Sequence, residues 1–406
     1  MSEKKGSVLG GILLIAGSCI GAGMLGLPIV TGLSGFFPSL GMFCLAWAFM
    51  TATALLLVEA NGWFSRQVNL LTMTHHALGK WGKGICWVTY LFLFYALLVA
   101  YISGIGGLCG SFFQSMHIAF PPWLGSLLFV VLFGTIVCFG TRKVDLTNRG
   151  LMFGKIGFFV LLVLVGVFYV QPQLLARAEP VYAASALPLL VISFGFHNMI
   201  PSLTAYLKGD LKRVRLTILG GSLLAFAIYI IWEVIVLGIV PLEGSHGLIQ
   251  SLKNDQEASQ SISAIIGSPF VRTFSQGLAF FAILTSFLAQ ALSLVHFLAD
   301  GMKISYKKHE NLGLCLLALV PPLIFSIIYP QLFFKALNFA GGICAVILFG
   351  ILPALMVWIG RYKLEEAGKY KMAGGKPLLV FVFAFSLLIL FVQISTMLGA
   401  NFIPKP

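Results

Sequence analysis

The sequence has little of what a water-exposed surface requires. Only 10% of its 406 residues are charged, and its 13 acids face 26 Lys and Arg. Soluble domains carry about a quarter charged residues and just under half apolar ones. A chain that is 59% hydrophobic, with a mean hydropathy of +0.98, cannot solvate its own outside. The water-soluble classes are therefore excluded, and the +13 net charge is not read as a nucleic-acid footprint. Cysteine is also sparse. The seven residues lie in or beside apolar stretches with no C-x-x-C pair, so neither a disulfide framework nor a zinc site is indicated. No H-E-x-x-H or G-x-S-x-G is present and the seven His are scattered, which removes the usual intramembrane hydrolases. No ATP-binding domain is found, and a channel would need charged rings or repeated filters where this chain has single intramembrane charges. The glycine run from Gly104 to Gly110 lacks the spacing and the preceding strand of a nucleotide fingerprint, and reads as helix packing.

What fills the space is apolar and aromatic: 36 Phe and 44 Gly. Apolar stretches of about 20 residues, each long enough to cross about 30 Å of hydrocarbon, recur along the chain. Eleven are expected, over 8–31, 36–63, 84–113, 122–141, 150–171, 185–206, 214–240, 270–299, 311–330, 334–359 and 377–399. The first is read as a retained span rather than a signal peptide, because its apolar run continues past Gly17 without a clear cleavage site. With the N-terminus cytoplasmic, 21 of the 26 basic residues fall on the inner side, leaving Arg177, Lys253, Arg272, Lys335 and Lys405 outside. That asymmetry predicts an inside N-terminus and an outside C-terminus. Two longer connections, Phe64 to Lys83 and Pro241 to Ser268, lie five spans apart on opposite sides, and Asn69 to Leu78 can form a short interfacial helix. An inverted repeat produces this arrangement. It divides the all-α chain into residues 1–171 (helices 1–5), 172–360 (helices 6–10) and 361–406 (a cytoplasmic loop and helix 11).

Two spans are interrupted at mid-depth. Span 1 contains Gly17-Ser-Cys-Ile-Gly-Ala-Gly-Met-Leu-Gly-Leu-Pro28, and span 6 contains Ser193-Phe-Gly-Phe-His-Asn-Met-Ile-Pro201. Glycine weakens a helix by about 1 kcal/mol relative to alanine, and proline removes a ladder bond. Unwound backbone at membrane depth survives only where it is buried or lines a wet cavity, so paired breaks that open the two halves predict a substrate site between them. Free amides and half-helix N-termini suit a carboxylate and free carbonyls suit an ammonium, which makes a zwitterion the natural ligand. The candidate contacts are Ile20, Gly21, Ala22, Gly23 and Met24 in the first break, and Phe194, Gly195, Phe196, His197 and Asn198 in the second. Gly17-x-x-x-Gly21 is equally a helix-packing motif, so span 1 alone does not decide between packing and a site.

These two strings resemble those of the hydroxy and aromatic amino acid permease family within the amino acid/polyamine/organocation superfamily, most of all its bacterial tyrosine- and tryptophan-specific members. The resemblance covers essentially the whole chain. It implies a leucine-transporter-type 5+5 inverted repeat with one appended helix in the bacterial inner membrane, and symport of an aromatic amino acid with protons. Tyrosine is the favoured substrate, with tryptophan or a hydroxy amino acid as alternatives and sodium coupling less favoured. No cofactor is expected beyond the coupling proton, and no obligatory protein partner beyond lipid. Where the resembled proteins carry Gly after the span 6 His, this chain has Asn198.

Ionisable groups in hydrocarbon are functional candidates by default. Glu233, mid-span in helix 7, can carry a proton by changing charge state or can be a structural acid bonded to a neighbouring helix. Glu59, near the inner end of span 2, reads as structural or gating. Lys155 lies about one and a half turns into the expected span 5, where it can snorkel to the surface. The resemblance implies another role, a lysine standing in place of a sodium ion beside the span 1 break. His197 sits in the span 6 break, where it can titrate or bond the substrate, and His296 has a weaker claim. Thr285 and Ser286 are the one obvious oxygen pair for sodium. An aromatic side chain calls for an apolar pocket with one or two polar groups, for which Phe194, Phe196, Tyr95, Tyr101 and Gln290 are candidates, Phe194 and Tyr101 first.

Overall fold

A computed structural model describes residues 6–64, 68–114, 116–303, 312–366, 368 and 370–399. Of the basic residues that set the expected orientation, Lys4, Lys5, Arg66, Lys307, Lys308, Lys369 and Lys405 lie outside the described residues. No strand occurs among those described.

The glycine and proline pattern of span 1 acts as predicted. The helix α1 (Val8–Cys19) stops, α2 (Gly23–Thr31) restarts, and the two are bent by 59°. The next span, α3 (Phe36–Asn61), runs unbroken. The expected interfacial segment and span 3 are two helices that meet at a kink, labelled together α4 (Leu70–Gln114); the kink is at Gly79, whose φ of +68° is a conformation that glycine adopts without strain. After α5 (Pro122–Cys138), helix α6 (Thr141–Gly166) begins nine residues earlier than the expected boundary at 150. The polar stretch Thr141 to Gly150, assigned to a loop by composition, extends the helix beyond the apolar zone. A short α7 (Pro172–Leu175) follows.

Span 6 repeats the interruption: α8 (Leu187–Ser193) ends, a 3₁₀ turn covers His197–Met199, and α9 (Ile200–Tyr206) resumes with Pro201 in its first turn. Then come α10 (Leu211–Ile239), the connecting helices α11 (Leu248–Lys253) and α12 (Ala258–Ile266), and α13 (Pro269–Gly301). After α14 (Leu312–Ile328), span 10 is built from α15 (Phe333–Phe339), a π-helical stretch over Ala340–Ile351 and α16 (Leu352–Tyr362). The last element is α17 (Gly375–Met397). Eight of these helices are long and apolar enough to cross a bilayer, nine with the bent α1–α2 pair. The shorter α5 and α14 fall where spans 4 and 9 are expected, and the count of eleven rests on them.

Exposure separates lipid-facing helices from packed ones. Phe153 and Phe168 on the α6 arm are 79% and 86% exposed, as a lipid-facing wall requires. Glycines instead mark close approach. A Cβ on Gly341 would stand 1.8 Å from the Pro188 carbonyl oxygen, so the π-helical stretch can press on α8 only because position 341 has no side chain. In span 3, Gly104 abuts Phe333 and Gly106 abuts Ser126 and the Pro122 carbonyl, which makes that glycine run packing.

One end of the bundle gathers the basic connections. There Glu59 at the end of α3 accepts from Arg361 Nε at 2.6 Å and Nη2 at 2.5 Å, and from the Met372 amide at 2.7 Å. His76 meets Glu366 at 2.6 Å, and Arg215 stacks over Tyr370. Glu59 thus anchors the segment between α16 and α17. We refer to this end as the basic face.

Candidate functional site

The two breaks face each other across a cavity of about 420 Å³. Its wall takes Cys19, Gly21, Ala22 and Gly23 from the first break, Ser193, Gly195, Asn198 and Met199 from the second, and Leu93, Leu97 and Tyr101 from α4. Lys155, Thr285, Ser286, Gln290 and Phe349 complete it. The rim includes the exposed Asp145–Arg149 pair, so the cavity reaches the basic face. A second cavity of about 1140 Å³ lies toward the opposite face and shares no lining residue with the first. Buried Phe333 and Phe334 press on Gly26 of α2, and Phe333 also presses on Gly104 of α4. Asp255, between α11 and α12, accepts from the amides of both phenylalanines at 2.7 and 3.0 Å and so anchors the start of α15. The Phe333–Phe334 pair and α15 thus pack against α2 and α4, and the site's cavity shares no lining residue with the second one.

Ending α1 at Cys19 frees backbone groups, and several of them meet side chains. Lys155 Nζ donates to the Ile20 carbonyl at 2.6 Å and lies 3.5 Å from Thr285 Oγ1. The Ala22 amide donates to Ser286 Oγ at 3.1 Å. Tyr229 of α10, fully buried, donates its hydroxyl toward both Cys19 O at 2.6 Å and Ser193 O at 2.8 Å, one carbonyl from each break. Pro28 has no N–H to give the Met24 carbonyl, and the Trp232 indole supplies that bond at 3.0 Å. Gly21 and Gly23 are small for a reason: a Cβ would fall 2.6 Å from Ser286 Oγ at the first and 3.0 Å from Ser193 Oγ at the second. The packing and site readings of span 1 therefore describe one place.

The expected contacts divide. Gly21, Ala22, Gly23, Tyr101, Gly195, Asn198 and Gln290 line the cavity, as does Lys155. Lys155 sits about four turns into α6 rather than one and a half, because the helix starts at Thr141, and at 3% exposure it does not snorkel. The side chains of Ile20, Met24, Phe194, Phe196, His197 and Glu233 do not line the cavity. The last five are turned into the protein: Phe194 packs edge-on to Tyr229 at 5.2 Å, and His197 stacks between Phe196 and Phe349. His197 Nε2 meets Thr53 Oγ1 at 2.8 Å while Nδ1 has no partner. Thr31 offers one hydroxyl proton to two acceptors, Leu27 O at 2.8 Å and Glu233 Oε2 at 2.9 Å. Glu233 Oε1 is buried and unpaired, so a proton on this carboxyl would supply a donor the cluster lacks. Of the weaker candidates, Tyr95 bonds the Leu317 carbonyl and His296 approaches Thr141, both away from the cavity.

Sequence reasoning missed Tyr229, Trp232, Ser193 and Phe349. The first two are spaced i, i+3 on the stripe that also carries Glu233, a polar-tipped face inside an apolar span, and that stripe was the available signal. Among the described residues no group of His, Cys, Asp and Glu is placed to hold a metal.

Comparison with known proteins accords with this geometry. The chain is similar to "Tyrosine-specific transport system 1" of Haemophilus influenzae, 32% identical over 402 residues that cover 98% of each chain. It is similar to a "Tryptophan-specific transport protein" of Pseudomonas aeruginosa, 31% identical over 390 residues, 94% of this chain and 93% of that one. These relatives are transport proteins, not enzymes. In fold it matches the crystal structure of MhsT in complex with L-phenylalanine at a TM-score of 0.64 and 14% identity, covering 98% of this chain and 100% of that one. The likeness shows the leucine-transporter-type fold. A family description, "Tryptophan/tyrosine permease family", matches residues 4–393, and the chain belongs to that family.

Proposed function

We propose that this permease imports an aromatic amino acid, tyrosine in preference, together with a proton, by exposing the site between its broken helices to each side in turn. The basic face is the cytoplasmic one and the second cavity faces outward. The observation that carries the proton assignment is the Lys155 ammonium on the freed Ile20 carbonyl, with Thr285 Oγ1 beside it. Those two oxygens are ligands of the kind a sodium ion would use, and the lysine covers them. Losing its proton would weaken the bond to Ile20 and alter how α6 holds the first break. Of the three proton candidates, Lys155 alone lines the cavity, whereas Glu233 and His197 lie behind the breaks. For an aromatic ring the cavity offers Leu93, Leu97 and Phe349, with Tyr101, Asn198 and Gln290 among its polar lining.

The test is uptake into proteoliposomes of labelled tyrosine, tryptophan, phenylalanine and serine, driven by a pH gradient and separately by a sodium gradient. Accumulation of tyrosine on the pH gradient alone is expected. Lys155→Ala should abolish gradient-driven accumulation while substrate binding stays measurable. Uptake driven by sodium alone, or full accumulation by Lys155→Ala, would overturn the coupling role, and serine preference would overturn the aromatic pocket.

A further inference from the structure

Three side-chain oxygens at the cavity wall are buried without a partner: Ser193 Oγ, Asn148 Oδ1 and Gln290 Oε1. A buried polar atom left unpaired costs free energy, and in a binding cavity a ligand is the natural partner. The three differ in place. Ser193 abuts Gly23 in the breaks, where a zwitterionic main chain would lie. Asn148 is on the rim beside Asp145 and Arg149. Gln290 is on α13, four residues and so one turn, about 6 Å, beyond Ser286. Ser286 holds the Ala22 amide of the first break. One helical turn is comparable to the separation between the α-carbon and the para substituent of an aromatic amino acid.

Residues four apart share a helix face, so Gln290 is presented on the same side of α13 as Ser286. With the substrate's main chain at the break, its ring would pass between Leu93, Leu97 and Phe349 to end at the Gln290 amide. An amide can turn by 180° to offer its oxygen or its nitrogen. A phenol hydroxyl both donates and accepts, so it pairs with either presentation. An indole N–H pairs only with the oxygen, and a phenyl ring pairs with neither.

We infer that Gln290 is a specificity residue which selects tyrosine over phenylalanine by hydrogen-bonding the ring hydroxyl. This rests on the proposed aromatic transport. A pocket built to bond a hydroxyl discriminates strongly against the analogue that lacks it, because the pocket's own polar group is then left unpaired.

The experiment measures initial uptake of labelled tyrosine and phenylalanine by wild type, Gln290→Leu and Gln290→Met in proteoliposomes, as the ratio of the two uptake efficiencies. Replacing the amide should lower the tyrosine-to-phenylalanine ratio about 10- to 100-fold, chiefly through the KM for tyrosine. An unchanged ratio in variants that still transport would overturn the assignment and leave aromatic transport standing. Equal loss of both substrates in both variants would also overturn it, since the amide would then be structural. No aromatic uptake by the wild-type protein would overturn the transport reading itself, and this assignment with it.

Discussion

Removing one oxygen from Tyr229 tests whether the two breaks are held as a unit. In Tyr229→Phe the ring keeps its edge-on contact with Phe194 at 5.2 Å and its tilted contact with Phe43 at 6.2 Å, so packing is retained and only the hydroxyl is lost. That hydroxyl lies 2.6 Å from Cys19 O and 2.8 Å from Ser193 O. It has a single proton, so the two bonds share one donor and their energies do not add. Without the hydroxyl, Cys19 O keeps the Gly21 amide at 2.8 Å, so the acceptor left unpaired is Ser193 O, which costs about 1–3 kcal/mol. Ser193 lines the cavity, so the cost is expressed at the site as misplaced backbone. If it falls on binding, the KM for uptake rises by about 5- to 150-fold. The assay is KM and maximal rate in proteoliposomes beside thermal stability in detergent, with Tyr229→Leu as the packing control. Wild-type KM and wild-type stability in Tyr229→Phe would refute the reasoning, because neither carbonyl could then depend on the phenol.

Two further outcomes follow from buried charges outside the cavity. Arg361→Met leaves the Glu59 carboxylate, 3% exposed, without its bidentate partner. That should cost about 3–5 kcal/mol, and Glu59→Gln combined with Arg361→Met should recover most of the loss in a thermal-shift measurement; equal melting of single and double variants would refute the pairing. Glu257, in the connection before α12, caps Ser259 at 2.8 Å through the amide and at 2.6 Å through the hydroxyl. Burial pushes its carboxyl up to about 7 against the opposing pull of those Ser259 bonds. A folded value above the unfolded one near 4.5 means that the stabilisation is whole below about pH 4.5 and is lost as pH rises through about 7. Melting temperature should therefore fall between pH 5 and pH 8 in wild type and less so in Glu257→Gln, and identical slopes would refute it.

How much of this was legible in the sequence depends on what each feature requires. The breaks were legible because glycine and proline act locally: the helix stops at Cys19 and Ser193 where those residues cluster. The buried lysine was legible as a position but not as an environment. Its depth depends on where α6 begins, and the polar residues from Thr141 onward read as loop by composition while folding as helix. The rotation of the second break was not legible at all. Phe194, Gly195, Phe196, His197 and Asn198 alternate between cavity and interior in an irregular backbone, where neither the 3.6 nor the 2.0 period applies, so only Gly195 and Asn198 reach the cavity. The stripe of Tyr229, Trp232 and Glu233 marks a polar-tipped face, but the partners of Tyr229 are backbone carbonyls, and no sequence pattern records which carbonyls a distant break will free.

The arrangement of bonds also says where substrate and proton could influence the conformation. Helix α1 is tied to α9 by the Gly6 amide on the Tyr206 carbonyl and the Ser7 amide on the Tyr206 hydroxyl. The first break and α2 are tied to α10 by Tyr229 and Trp232. Spans 1, 6 and 7 are thereby stitched along their length into one body. At mid-depth, the hydrogen bonds that reach the first break from α6 and α13 are those of Lys155 to Ile20 and Ser286 to Ala22. A ligand shifts a conformational equilibrium only through interactions that differ between the two states. In the proposed mechanism a proton on Lys155 acts on the first of these bonds, and a carboxylate seeking the Ala22 amide competes with Ser286 for the second. Substrate and proton would then act on the same join between the moving body and its support. Coupling between them needs no pathway longer than the two residues from Ile20 to Ala22.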